Sequence, residues 1–201
     1  MKKKVMFALL LCALLAAGCA GEPEPAQDSQ TVQSGEGGEA APVGTASELG
    51  SLKSFTAGTL DGGVFTQEDI AAKEVTVVNF WAMTCGPCIV EMPDLAQFSA
   101  ALPDNVQLVT VCLDGAGNED SVREVMEQSG FEGITIISGD GDLAALASSL
   151  MYTPTTVLTD SEGVLSDDVI IGGQRDLSGT YLAAVNRVLA AGGKDEISLE
   201  S

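Results

Sequence analysis

The sequence of 201 residues contains no histidine, nine lysines and arginines against 29 aspartates and glutamates, and few aromatic side chains. Each shortage excludes a class of function. Without imidazole there is no Ser-His-Asp or Cys-His nucleophile pair and no His-containing zinc or copper site. Three of the nine basic residues, Lys2, Lys3 and Lys4, stand together at the N-terminus, and six are scattered over the rest. Nucleic-acid binding depends on such side chains neutralising phosphates, so no nucleic-acid partner is expected. The apolar run Val5–Ala17 is shorter than the ~20 residues a membrane-spanning helix needs. Chemistry in this chain has to run on cysteine or carboxylate.

What is present begins with an address. Three lysines, a short apolar run and Gly18-Cys19 follow the order of an export signal over residues 1–18. Leu15-Ala16-Ala17-Gly18-Cys19 resembles the bacterial lipobox, with Ala16 where leucine is usual. The resemblance implies cleavage before Cys19 and lipidation of its sulfur, giving a lipid-anchored protein at the extracytoplasmic face of a bacterial cell membrane. Residues 19–50 carry Pro23, Pro25, Pro42 and repeated Gly, Ser and Glu with few large apolar side chains, which predicts a lipidated disordered tether. Residues 51–193 are expected to form one folded domain, and 194–201 an acidic tail.

Within that domain the hydrophobic pattern alternates between strand and helix. Phe55–Leu60 and Val64-Phe65 flank the turn Asp61-Gly62-Gly63, which predicts an N-terminal hairpin. Val75–Trp81 is nearly all β-branched or aromatic and Val106–Leu113 repeats the pattern, as in strands covered on both faces. Ile89, Met92, Leu95, Phe98 and Leu102 predict a helix from about Gly86, kinked at Pro93. Val122, Val125 and Met126 mark a further helix ending near Gly130, and Ile134–Ile137 a strand. Leu143, Leu146, Ala147 and Leu150 mark a helix that Asp142 would cap. Thr155–Thr159 and Val164–Ile171 then form a hairpin before a last helix carrying Tyr181, Val185, Val188 and Leu189. The expected class is α/β, a three-layer fold with a mixed central sheet flanked by helices.

Cys85-Gly86-Pro87-Cys88 falls between the strand Val75–Trp81 and the helix that follows it. Two intervening residues on a helical first turn bring two sulfurs close enough to bond. At the helix N-terminus, unpaired N–H groups and the positive end of the helix dipole stabilise a thiolate, so Cys85 is the expected nucleophile. Cys88, one turn further in and facing the core, is expected to act second. Two other readings compete. Half of a structural zinc site needs two more ligands, and only Cys112 remains after Cys12 and Cys19 are set aside. A permanent structural disulfide across two residues would constrain the unfolded chain little. A redox pair with no metal and no cofactor is therefore expected.

The run Asn79-Phe80-Trp81-Ala82-Met83-Thr84-Cys85-Gly86-Pro87-Cys88 resembles the active-site segment of the thioredoxin superfamily. Glu91-Met92-Pro93 resembles the TlpA/ResA-like branch of membrane-anchored extracytoplasmic thiol-disulfide oxidoreductases. Thr153-Pro154-Thr155-Thr156 resembles that family's cis-proline loop. The resemblance implies a thioredoxin-like fold with a strand-helix insertion at about Glu119–Leu150. It also implies catalytic Cys85 and Cys88, supported by Trp81, Gly86, Pro87, Thr153 and Pro154. Two positions depart from the pattern. Asn79 stands where thioredoxin has a buried aspartate, and an amide cannot relay a proton for Cys88. Thr84 replaces the tryptophan frequent before the first cysteine. Asp114, just before Gly115, is expected to form a turn.

The function these readings support is disulfide reduction on exported protein thiols or disulfides, by a monomer fed with electrons from a membrane thiol-transport protein. Gly86-Pro87 is the dipeptide of thioredoxin, whose potential of about −270 mV is reducing, against about −120 mV for a strong oxidant. A disulfide-forming oxidase is the alternative, followed by a thiol peroxidase and a tethered metal-binding module. The last two are disfavoured by the adjacent cysteine pair and by the missing histidine, respectively.

Overall fold

A computed structural model describes residues 49–199; the expected signal, the lipidation at Cys19 and the tether up to residue 48 lie outside the described residues. Twelve elements follow in order: β1 Thr56–Thr59, β2 Val64–Thr66, α1 Gln67–Ala71, β3 Val75–Trp81, α2 Gly86–Ala101, β4 Val106–Cys112 and α3 Glu119–Ser129. After them come β5 Ile134–Gly139, α4 Gly141–Ser149, β6 Thr155–Asp160, β7 Leu165–Ile171 and α5 Leu177–Ala191. One seven-stranded sheet has the order β2-β1-β5-β4-β3-β6-β7. β3, β4 and β5 run parallel, and the remaining pairings are antiparallel, so the sheet is mixed.

Every residue of β3 is buried. Side chains on a strand alternate between faces, and β3 divides accordingly. Val75, Val77 and Trp81 enter a core with Cys88, Met92 and Leu95 of α2 and Tyr181 and Val185 of α5. Val78 and Phe80 enter a second core with Phe65, Ile70 of α1, and Leu143 and Leu146 of α4. Asn79 belongs to the odd-numbered set, so its polar side chain is carried beneath α2 and α5.

The structure changes two expectations. α1 is absent from the sequence reading; it is short, and Thr66 and Asp69 start it with reciprocal side-chain and backbone hydrogen bonds. The segment 119–150 is helix, strand and helix, as its apolar pattern predicts. Asp142 does not cap α4, because the N-cap position is Asp140 and Asp142 lies in the first turn. Its carboxylate turns outward to accept the N–H groups of Lys53 and Ser54 at 2.8 and 2.9 Å. Asp140 likewise accepts the N–H of Thr56 at 2.7 Å. Together they fasten the start of the domain to α4. Gly130 ends α3 as expected, in the left-handed region at φ 72°.

Candidate active site

β3 ends at Trp81, and the chain turns through Ala82–Thr84 into α2. The turn is fixed from two sides. The Cys85 N–H donates to the Ala82 carbonyl at 3.0 Å, and the Met83 N–H donates to the Asp114 carboxylate at 3.0 Å. Asp114 lies in the turn after β4, as expected, and reaches the loop that leads to Cys85. It also accepts the Cys112 thiol at 3.3 Å. Burial, with the nearby Asp114 carboxylate, pushes that thiol up to about 12, so Cys112 stays protonated near neutral pH.

Cys85 is the N-cap of α2, and its sulfur accepts the Cys88 N–H at 3.2 Å. Gly86 and Pro87 form the first turn, where a proline has no N–H to waste. Cys85 and Cys88 are joined by a disulfide, with their Cα atoms 5.3 Å apart. Cys85 is half-buried and Cys88 is fully enclosed, which leaves the first sulfur as the one a partner can reach. Exposed Ile89, Val90, Leu113, Met151 and Tyr152 lie on the segments leading into or out of this end of the sheet.

The Thr153-Pro154 peptide is cis. Phe80 pairs with Thr155 across β3 and β6, so one further step in register sets Pro154 beside Trp81. The Pro154 carbonyl accepts the Gly172 N–H at 2.8 Å, tying this loop to the one after β7. Trp81 is completely buried, and its indole N–H has no hydrogen-bond partner among the described residues.

A residue without an assigned role in the sequence follows the pair on α2. Glu91 is one turn beyond Cys88 on the same helical face and only 5% exposed. Desolvation pushes its carboxyl up to about 7, against the opposing effect of a hydrogen bond from the Asn79 amide at 3.4 Å. The Gln174 N–H also favours its ionised form, but Oε2 has no hydrogen-bond partner within bonding geometry. A Cβ added at Gly173 would come within 3.5 Å of Oε2 and 3.9 Å of the Pro87 side chain, so the loop after β7 closes over the carboxyl. Asn79 cannot carry a proton, whereas Glu91, balanced near neutrality, can. The signal was present in the sequence as an acid on the Cys88–Met92–Leu95 stripe.

This fold, with a cysteine pair at the N-terminus of the helix after β3, defines a thioredoxin-like domain. The chain belongs to the Redoxin family, whose model matches residues 37–172. The thioredoxin-like protein YneN of Bacillus subtilis is 31% identical over 114 residues, 56% of this chain and 65% of YneN, so the match leaves about a third of that relative uncovered. DsbF of MTB, solved in mixed oxidised and reduced forms, is 26% identical with a TM-score of 0.52, covering 70% of this chain and 95% of DsbF. A secreted Mycobacterium tuberculosis disulfide oxidoreductase shares the fold at 23% identity and a TM-score of 0.51, covering 64% and 94% of the two chains.

Proposed function

We propose that this chain is a thiol-disulfide oxidoreductase, working as a reductase of exported proteins while held by lipid on Cys19 at the outer face of a bacterial cell membrane. The observation that carries the reading is the bonded pair itself, with Cys85 reachable at a helix N-terminus and Cys88 enclosed below it. In the reduced protein the Cys85 thiolate attacks one sulfur of a client disulfide. A mixed disulfide forms and the other client sulfur leaves as a thiolate. Cys88 then gives its proton to the Glu91 carboxylate and attacks the Cys85 sulfur, releasing the second client thiolate and closing the Cys85–Cys88 bond. Two electrons pass to the client, whose two thiolates take up protons as their own acidities dictate.

Trp81, Gly86 and Pro87 hold the geometry of the pair, and Thr153 and Pro154 form the edge along which an extended client segment lies. The Gly86-Pro87 dipeptide supports the reducing direction, which calls for a membrane thiol-transport protein as electron donor. The lipobox-like segment and the tether length support the anchor. No helix among the described residues is long and apolar enough to cross a membrane.

Insulin reduction by the full chain tests the exchange. Wild type should reduce insulin with dithiothreitol as donor, Cys85→Ser should be inactive, and Cys88→Ser should accumulate a mixed disulfide. Equal turnover by Cys85→Ser would remove the proposal. The anchor is tested separately: wild type should enter the detergent phase and Cys19→Ser the aqueous phase.

A further inference from the structure

The buried polar groups beneath the dithiol leave two acceptors unmatched. Asn79, Glu91, Thr156 and Tyr181 come from β3, α2, β6 and α5, and none is more than 5% exposed. Asn79 Nδ2 lies 2.9 Å from Thr156 Oγ1, 3.4 Å from Glu91 Oε1 and 3.5 Å from the Tyr181 hydroxyl. The Thr156 and Tyr181 hydroxyls are 2.7 Å apart, and either can donate. Two amide hydrogens therefore face three oxygens, while Asn79 Oδ1 and Glu91 Oε2 have no partner.

A carboxamide has a donating end and an accepting end of nearly the same shape, exchanged by a half-turn. With Glu91 ionised, the amino end, which faces Oε1 in the structure, donates to it. With Glu91 protonated, the carbonyl end accepts the acid's proton, and the two hydroxyls rotate their hydrogens to suit. A carboxylate at position 79 would serve only the protonated state, and an aliphatic side chain would serve neither.

We propose that Asn79 is a positioning residue for proton transfer at the dithiol: held by Thr156 and Tyr181, its amide offers N–H to ionised Glu91 and C=O to protonated Glu91. The buried carboxyl thereby changes state without losing its partner. This rests on the exchange chemistry proposed above. The titratable groups that bear on Glu91 are Asp94 on its own helix and Tyr181 on α5; Asn79 and Thr156 from the sheet are neutral, and the loop after β7 contributes the Gln174 N–H. Among the described residues Glu91 has no salt-bridge partner. Hydrogen bonds to an ionised acceptor are roughly twice as strong as neutral ones, so losing the amide costs the ionised form more.

The test is an infrared titration of the carboxyl band in the oxidised full chain, assigned by its loss in Glu91→Gln. Wild type should show a midpoint near 7. Asn79→Leu should move it up by about one pH unit or more, and the pH profile of insulin reduction should move with it. An unshifted midpoint in folded Asn79→Leu overturns the proposal. Thr156→Val, nearly isosteric, serves if Asn79→Leu does not fold: it should also shift the midpoint upward, and no shift would overturn the proposal. Wild-type insulin reduction is read in parallel. An inactive wild type counts against the exchange reading, whereas an active wild type with unshifted variant midpoints counts against Asn79 alone.

Discussion

Glu91 is the residue on which the chemistry and the stability of the protein meet. Its carboxyl is raised from 4.5 to about 7 in the folded chain, so between those values the folded state holds a proton that the unfolded chain has released. Stability therefore declines as pH rises from 4.5 to 7 and levels off above. Glu91→Gln should lack this decline and exceed wild type by up to about 3 kcal/mol at pH 8, a difference that denaturant titration at pH 5 and pH 8 reads directly. The same substitution should slow release of the mixed disulfide by about 100-fold, since it removes the group that takes the Cys88 proton. Cys112 gives the opposite case. Buried, and with its thiol pushed up to about 12, it should resist maleimide at neutral pH in the folded protein, while reduced Cys85 reacts within minutes. Rapid native labelling of Cys112 would contradict its placement. Cys85, Cys88 and the burial of Cys112 were legible in the sequence because spacing and strand pattern express them. Glu91 was visible only as an acid on an apolar stripe; its role was not, because it depends on Asn79 from β3 and the loop after β7, which lie 12 and more than 80 residues away along the chain.

Among the elements, the long ones followed from hydrophobic period and the short one did not. β3, β4, α2 and α5 each repeat an apolar pattern over seven residues or more, enough to separate strand from helix. α1 spans five residues and buries only Ile70, so no period can mark it; its start lies in the Thr66 and Asp69 caps. Asp142 shows a second limit. A helix-starting aspartate invites reading as a cap, yet its partners are N–H groups about 90 residues earlier in the chain, which only the folded arrangement of β1 and α4 brings near. Asp142→Ala removes three charge-assisted hydrogen bonds, from the Ser51 hydroxyl and the Lys53 and Ser54 N–H groups, and should destabilise the domain by about 1–3 kcal/mol, as measured by chemical denaturation, without altering insulin reduction. A change below a few tenths of a kcal/mol would mean that the junction is not held there.

For the whole molecule, two cores on either side of one sheet leave the dithiol at the end where β3 delivers it. The C-terminal segment closes one of these cores. Ile197 and Leu199 pack against the α2–α5 side, and Ile197 exchanges hydrogen bonds with the Asn186 side chain at 2.9 and 3.0 Å. Lys194 pairs with Glu74 at 2.8 Å. Residues 194–199 are thus more than an acidic tail, and truncation after Gly193 should lower stability by roughly 1–3 kcal/mol, seen as a reduced denaturation midpoint. The acidic composition pointed to a solvated end and hid two apolar anchors within it. The central claim, that Cys85 and Cys88 form a reversible two-electron couple, is tested most directly by equilibrating the protein in glutathione buffers. A two-electron titration with a potential near −250 mV or below is expected, whereas a pair that does not titrate reversibly would rule the couple out.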